Sequence, residues 1–125
     1  MQPLDAVLPG RPGAQVLSLP AGTPPHRYVA RRADLVLVVL AGVPCLGVGA
    51  AAPSRRPAGS VLVCPRGVPW SVAGGREQAR VVAVGAPSGP ERTLAALLGP
   101  PPLDGAALVA AAADGGLEVV LEPLR

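Results

Sequence analysis

Residues 59–74, GSVLVCPRGVPWSVAG, constrain the fold more than any other stretch of this chain. An apolar run over 60–64 meets Pro65-Arg66-Gly67, and a second apolar run begins at Trp70. Proline lacks an N–H and glycine lacks a Cβ, so the interruption reads as a turn between two short strands. The same punctuation recurs along the chain. AQVLSLP (14–20) reads as a strand, AGTPP (21–25) as a turn, HRYVA (26–30) as a short strand and RRAD (31–34) as a loop. Further strands are expected near 35–40, 43–48, 60–64, 70–73 and 80–86, with AAPSRRPAG (51–59) as a polar connection. Many short β runs at close spacing, with no helical period among them, indicate a sandwich or barrel.

The length of 125 residues suits one domain with a single core. Hydrophobic residues make up 50% and charged residues 15%, so there is enough apolar surface to bury and disorder is excluded for most of the length. Val, Leu and Ala carry the apolar share. Phe, Ile, Lys and Asn are absent, all four having AT-rich codons, which points to a GC-rich bacterial genome. All 11 basic residues are therefore Arg, and the net charge is +3. They are scattered, with doublets only at Arg31-Arg32 and Arg55-Arg56, and no aromatic residues interleave with them. That is a solvated surface rather than a nucleic-acid face.

Leu35 to Ala52 runs for 18 residues without a charge, the threshold length of a membrane span. Gly42, Pro44, Gly47 and Gly49 interrupt it, so it reads as two buried strands joined by a tight connection, and no membrane partner is expected. Cys45 and Cys64 belong to no CxxC pair, and the N-terminus has no basic-then-apolar signal pattern. A cytoplasmic protein with two reduced, buried thiols is the expectation.

The character changes at Ser88. SGPERTLAALLG offers Ser88 as a cap, Pro90 in the first turn, Glu91 near the positive end and Gly99 as the stop of a helix. After three prolines, Asp104 caps a second helix that Gly115-Gly116 ends, and 117–124 reads as a final edge strand. The organisation expected is an N-terminal arm (1–13), a β-barrel (14–87) and a helical tail (88–125).

The 59–74 spacing resembles the second motif of the cupin superfamily, G-x5-P-x-G-x2-H-x3-N, with Gly59, Pro65 and Gly67 in register. Trp70 stands at the metal-binding His and Gly74 at the Asn. The first cupin motif, G-x5-H-x-H-x3,4-E-x6-G, is met by TPPHRYVARRADLVLVVLAG, with His26 at its first His, Tyr28 at its second and Gly42 at its closing Gly. Leu35 falls on the Glu when counted back from Gly42. Asp34, beside it, is the only nearby carboxylate. The resemblance covers about residues 14–125 and implies an all-β, antiparallel jelly-roll barrel with a short two-helix C-terminal tail. It also implies a homodimer, formed by pairing sheet faces or exchanging edge strands.

Cupin metals need three or four convergent ligands, and this chain has one histidine. The indole of Trp70 only donates, so no tightly bound metal is expected, and weak divalent binding stays open. The resemblance instead gathers His26, Tyr28 and Trp70 at the barrel mouth, where they and Leu35 and Cys64 would line a site for a small apolar molecule. The functional expectation is a cupin-like sensor or biosynthetic accessory. A metal-independent isomerase or cyclase using His26 and Tyr28 as acid/base groups is one alternative, and an eroded metal-dependent dioxygenase is another. Simple packing is the competing account of Trp70, as the largest side chain in a core of Val and Leu. Cys64 reads as a small buried hydrophobe rather than a nucleophile.

Overall fold

The strands pair as one long ribbon folded back on itself. A computed structural model describes residues 11–50, 52–98, 110, 112 and 116–120. The elements are β1 (Gly13–Leu19), β2 (His26–Ala30), β3 (Asp34–Ala41), β4 (Cys45–Val48), β5 (Ser54–Arg55), β6 (Val61–Cys64), β7 (Trp70–Ala73), β8 (Ala79–Ala86), α1 (Pro90–Leu97) and β9 (Leu117–Val120). The ladders β4·β5, β3·β6, β2·β7 and β1·β8 are nested and antiparallel. Successive ladders fall alternately in two sheets, of order β1-β8-β3-β6 and β5-β4-β7-β2-β9. The ribbon therefore bends between ladders, which is the topology of a jelly roll.

Proline and glycine sit at these bends, on both arms at matching points. Gly22 N–H donates to Gly75 O at 3.0 Å, and Gly74 N–H donates to Thr23 O at 2.8 Å, tying the first pair of bends together. At the second pair, Gly67 N–H donates to Ala30 O at 2.9 Å. The Pro65–Val68 turn closes with Val68 N–H to Pro65 O at 3.1 Å, and Gly67, its third residue, has φ 78°. That value is the left-handed conformation a type II turn requires there, which any Cβ would disfavour.

Strand alternation fills the space between the sheets. Leu17, Leu19, Leu35, Leu37, Val39, Leu62, Cys64, Val81 and Ala83 from the four-stranded sheet join one buried cluster with Tyr28, Ala30, Leu46, Trp70, Val72 and Leu117 from the five-stranded sheet. Among the described residues no ladder links the two sheets, so they form a sandwich of two layers rather than a closed ring. The long uncharged segment is β3 and β4, one in each sheet. No helix among the described residues is long and apolar enough to cross a membrane.

Several details differ from the sequence reading. The 51–59 connection contains β5, which pairs with β4. Cys45 is only half-buried, although both thiols are free. Ser88 does not cap α1: Gly89 is its N-cap, without a side-chain cap bond. The cap comes from inside the helix, where the buried carboxylate of Glu91 accepts from Gly89 N–H and from Ser88 Oγ, both at 2.6 Å. Room for that carboxylate comes from Gly13 and Gly85, which are cross-strand partners; a Cβ on either would collide with Glu91. The second helix expected after Asp104 lies outside the described residues, except for Ala110 and the buried Ala112. Most of the N-terminal arm also lies outside them, and Gly13, its last residue, opens β1. The final strand is present as β9, at the edge beside β2; residues 121–124 are outside the description.

The outer face of the four-stranded sheet is apolar. Cross-strand register aligns Val16, Val82, Val38 and Val61 in one row and Ala14, Val84, Val36 and Val63 in the next. Val16, Leu40, Val61 and Val63 are 48–59% exposed, unusual for this many large side chains on one face.

Candidate binding site between the sheets

Pro24-Pro25 lead into His26, the first residue of β2. Period-two alternation then places Tyr28 on the same inward face as His26. Trp70, the first residue of β7, is the cross-strand partner of Tyr28, while His26 stands opposite Val72. Val48 and Val119 flank this pair on the neighbouring strands and complete an inward row across the sheet. The Tyr28 and Trp70 rings are 5.0 Å apart between centroids and tilted by 36°. The His26 and Tyr28 rings are 6.3 Å apart at 40°. These separations fall in the range of favourable aromatic contacts. Leu35 and Cys64 are also cross-strand partners, on the facing sheet, and both are buried.

The three rings thus lie together, but not at a mouth. Tyr28 and Trp70 are each 1% exposed, deep between the sheets, and only His26 is partly exposed. The aromatic side chains are wide enough to span into the core, which the motif positions alone do not convey.

Two polar atoms in this row are orphaned. Neither the Tyr28 hydroxyl nor Trp70 Nε1 has a hydrogen-bond partner among the described residues, though both are buried. An unsatisfied buried group costs about 1–3 kcal/mol, so two together call for an explanation. Burial also sets the acid–base character of the site. Desolvation pushes the Tyr28 hydroxyl up to about 12 and the Cys64 thiol up to about 12. At neutral pH Tyr28 is a hydrogen-bond donor and Cys64 is an uncharged thiol, not a nucleophile.

The cupin resemblance implies a divalent metal at the His26, Tyr28 and Trp70 positions, and as a set these side chains do not fit one. Trp70 Nε1 offers no lone pair, Tyr28 stays a neutral phenol, and His26 alone is a ligand by type. The remaining candidate is elsewhere. Asp34 accepts from the Arg66 main-chain N–H at 2.8 Å and from the Arg66 guanidinium at 3.3 Å, on the exposed side of the sheets. Those bonds hold its carboxyl below the usual range. No three His, Cys, Asp or Glu side chains converge among the described residues.

The Asp34–Arg66 pair was not foreseen from the sequence. The two residues are 32 apart and meet because both lie at the second pair of ribbon bends. A second exposed pair, Arg31 with Glu118, ties β9 to the end of β2. Such pairs are worth little to stability but mark which ends of the strands adjoin.

No protein-family model matches the chain, and no curated protein matches it in sequence. Solved structures do match. The cupin domain of Schizosaccharomyces pombe Cnp3 superposes with a TM-score of 0.54 at 25% identity, over 62% of this chain and 54% of that one. The match thus spans about half the length of that domain's chain. A protein with a double-stranded β-helix domain from Klebsiella pneumoniae gives 0.55 at 20% identity, over 63% and 70%. KdgF from Halomonas sp. gives 0.56 at 17% identity, over 64% and 72%. These likenesses agree with the nested ladders and with the motif turns at Gly59 and Gly67. The chain has the fold of the cupin superfamily.

Proposed function

We propose that the inward row of His26, Tyr28 and Trp70 binds a small, largely apolar molecule without a tightly held metal ion, in the manner of a sensor or a biosynthetic accessory. One observation carries this reading: two aromatic side chains with unpartnered polar atoms stand in an otherwise aliphatic interior, beside a partly exposed imidazole. An aliphatic core that served packing alone has no use for two orphaned donors. Trp70 is the sole tryptophan, so its fluorescence reports on this row alone. A panel of small apolar metabolites is expected to include one that shifts the Trp70 emission and raises the melting temperature, since a ligand at 100 times its Kd adds about 2.7 kcal/mol. No change in either signal across the panel would contradict the binding reading. Stoichiometric iron, manganese or zinc in the purified protein would contradict the metal-free part.

The homodimer implied by the cupin resemblance is proposed to form through the outer face of the four-stranded sheet. Its two rows are made of Val and Ala from four strands and carry no charge. A two-fold axis through such a face sets identical apolar rows against each other, so a second copy is a self-complementary occupant. Val61→Arg, at a position 59% exposed, leaves the interior untouched. It is expected to convert a dimer to a monomer in analytical ultracentrifugation with the fold retained. A wild-type protein that is monomeric at all concentrations would contradict the proposal.

A further inference from the structure

The apolar rows on the outer face of the four-stranded sheet end in unlike charges. Along β8 the outward positions are Arg80, Val82, Val84 and Ala86, alternating with the buried Ala79, Val81 and Ala83. Along β3 they begin with Asp34, Val36 and Val38. Register sets Val82 beside Val38, Val84 beside Val36 and Ala86 beside Asp34, while Arg80 stands beside Ser18 and Ala41. One end of the face therefore carries a cation and the other a carboxylate, with the two apolar rows between them.

The surroundings of the two charges differ. Arg80 is exposed and makes no ion pair among the described residues. Arg76 and Glu77, in the loop before β8, are adjacent and opposite in sign. At the other end Asp34 is held by Arg66: Oδ1 accepts from the main-chain N–H at 2.8 Å and from Nε at 3.3 Å, and Oδ2 accepts from the guanidinium at 3.3 Å. A carboxylate has about four lone-pair sites, so Asp34, with its side chain 47% exposed, keeps acceptor capacity on the solvent side.

A two-fold axis lying in this face runs either along the strands or across them. Along the strands, like ends meet, and the uncompensated Arg80 of one copy comes against Arg80 of the other. Across the strands, opposite ends meet. The row of Val82 then covers the row of Val84, and Arg80 comes over Ala86 and Asp34. Packed sheets stand about 10 Å apart, a gap that the long arm of arginine and the short arm of aspartate bridge between them. The apolar rows fit in either orientation, so charge decides.

Resting on the dimer reading above, we infer that the axis crosses the strands, so that the two copies pack antiparallel and Arg80 of each pairs with Asp34 of the other. A face with unlike charges at its two ends is complementary to itself under that rotation, which is why a second copy is the occupant it fits. By symmetry the contact occurs twice.

Sedimentation equilibrium at low ionic strength tests this, because 0.1 M salt screens charges beyond about 10 Å. Arg80→Gln and Asp34→Asn each delete one charge of the pair and keep a polar side chain. Each is expected to raise the dimer Kd roughly three- to ten-fold, since each removes two symmetric contacts. Arg80→Glu sets carboxylate against carboxylate and should raise it further. The double variant Arg80→Gln/Asp34→Asn should dimerise no more weakly than the weaker single variant, because the second change removes a partner already lost. Arg80 is exposed, so the melting temperature of its two variants, measured on the monomer, should match wild type.

Tighter dimerisation of Arg80→Gln would mean that like ends meet, and would overturn the inference. An unchanged Kd in either single variant would overturn it as well, as would additive losses in the double variant. In those cases dissociation by Val61→Arg would leave the dimer reading standing. A wild-type chain that is monomeric at every concentration would bring down both.

Discussion

Trp70→Ala is expected to lose about 3–5 kcal/mol of folding stability, measured by urea unfolding. The indole is 1% exposed and belongs to the one cluster that joins both sheets. Its removal deletes the largest buried side chain and leaves a cavity beside Tyr28 that strands on both sides hold open. Single domains have only about 5–15 kcal/mol in hand, so this variant should melt far below wild type. Trp70→Phe keeps an aromatic ring in place and should cost much less. A loss below about 1 kcal/mol for the alanine variant would mean that the indole is not packed between the sheets.

A second large effect belongs to alkaline pH. Cys64 and Tyr28 are neutral when protonated, and burial raises each from its ordinary value, 9.0 for the thiol and 10.0 for the phenol, to about 12. Below pH 9 both groups keep their protons in the folded and the unfolded chain, so they leave stability unchanged. Above pH 9 the unfolded chain releases the thiol proton that the folded chain retains, and stability falls. From pH 10 the phenol adds to the slope. Each group removes up to about 1.4 kcal/mol per pH unit across its window, so several kcal/mol are lost by pH 12. Melting temperatures recorded from pH 7 to 11 should be flat to about 9 and then fall with increasing steepness. Cys64→Ala should move the onset up towards pH 10. A flat profile to pH 11 would contradict the burial of both groups.

Strand positions were legible in the sequence because Pro and Gly fall where the ribbon bends, and a bend needs the same residues in any context. The pairing of Tyr28 with Trp70 was legible only through motif spacing, since the 41 intervening residues carry no local signal. What the sequence concealed is set by contacts between distant elements. Asp34 meets Arg66 through the match of two bends. Glu91 is buried because Gly13 and Gly85, in β1 and β8, leave its carboxylate a gap. Ser54–Arg55 pair with β4 although Arg and Ser have no strong strand preference, because β4 offers an open edge. The depth of the site was also hidden: motif positions say which face a ring occupies, not how far it reaches.

On the proposed reading, Tyr28 and Trp70, at positions where the cupin motifs carry metal-binding histidines, present hydrogen-bond donors in place of electron pairs in a core otherwise built of Val, Leu and Ala.

The most direct measurement is the indole N–H resonance of Trp70 in a proton–nitrogen correlation spectrum, because a chain with one tryptophan yields one such peak. The account predicts a single peak, protected from solvent exchange because the indole is 1% exposed, whose position shifts when a small apolar ligand from the panel is added. A peak that exchanges freely with water, or stays in place across the whole panel, would contradict it.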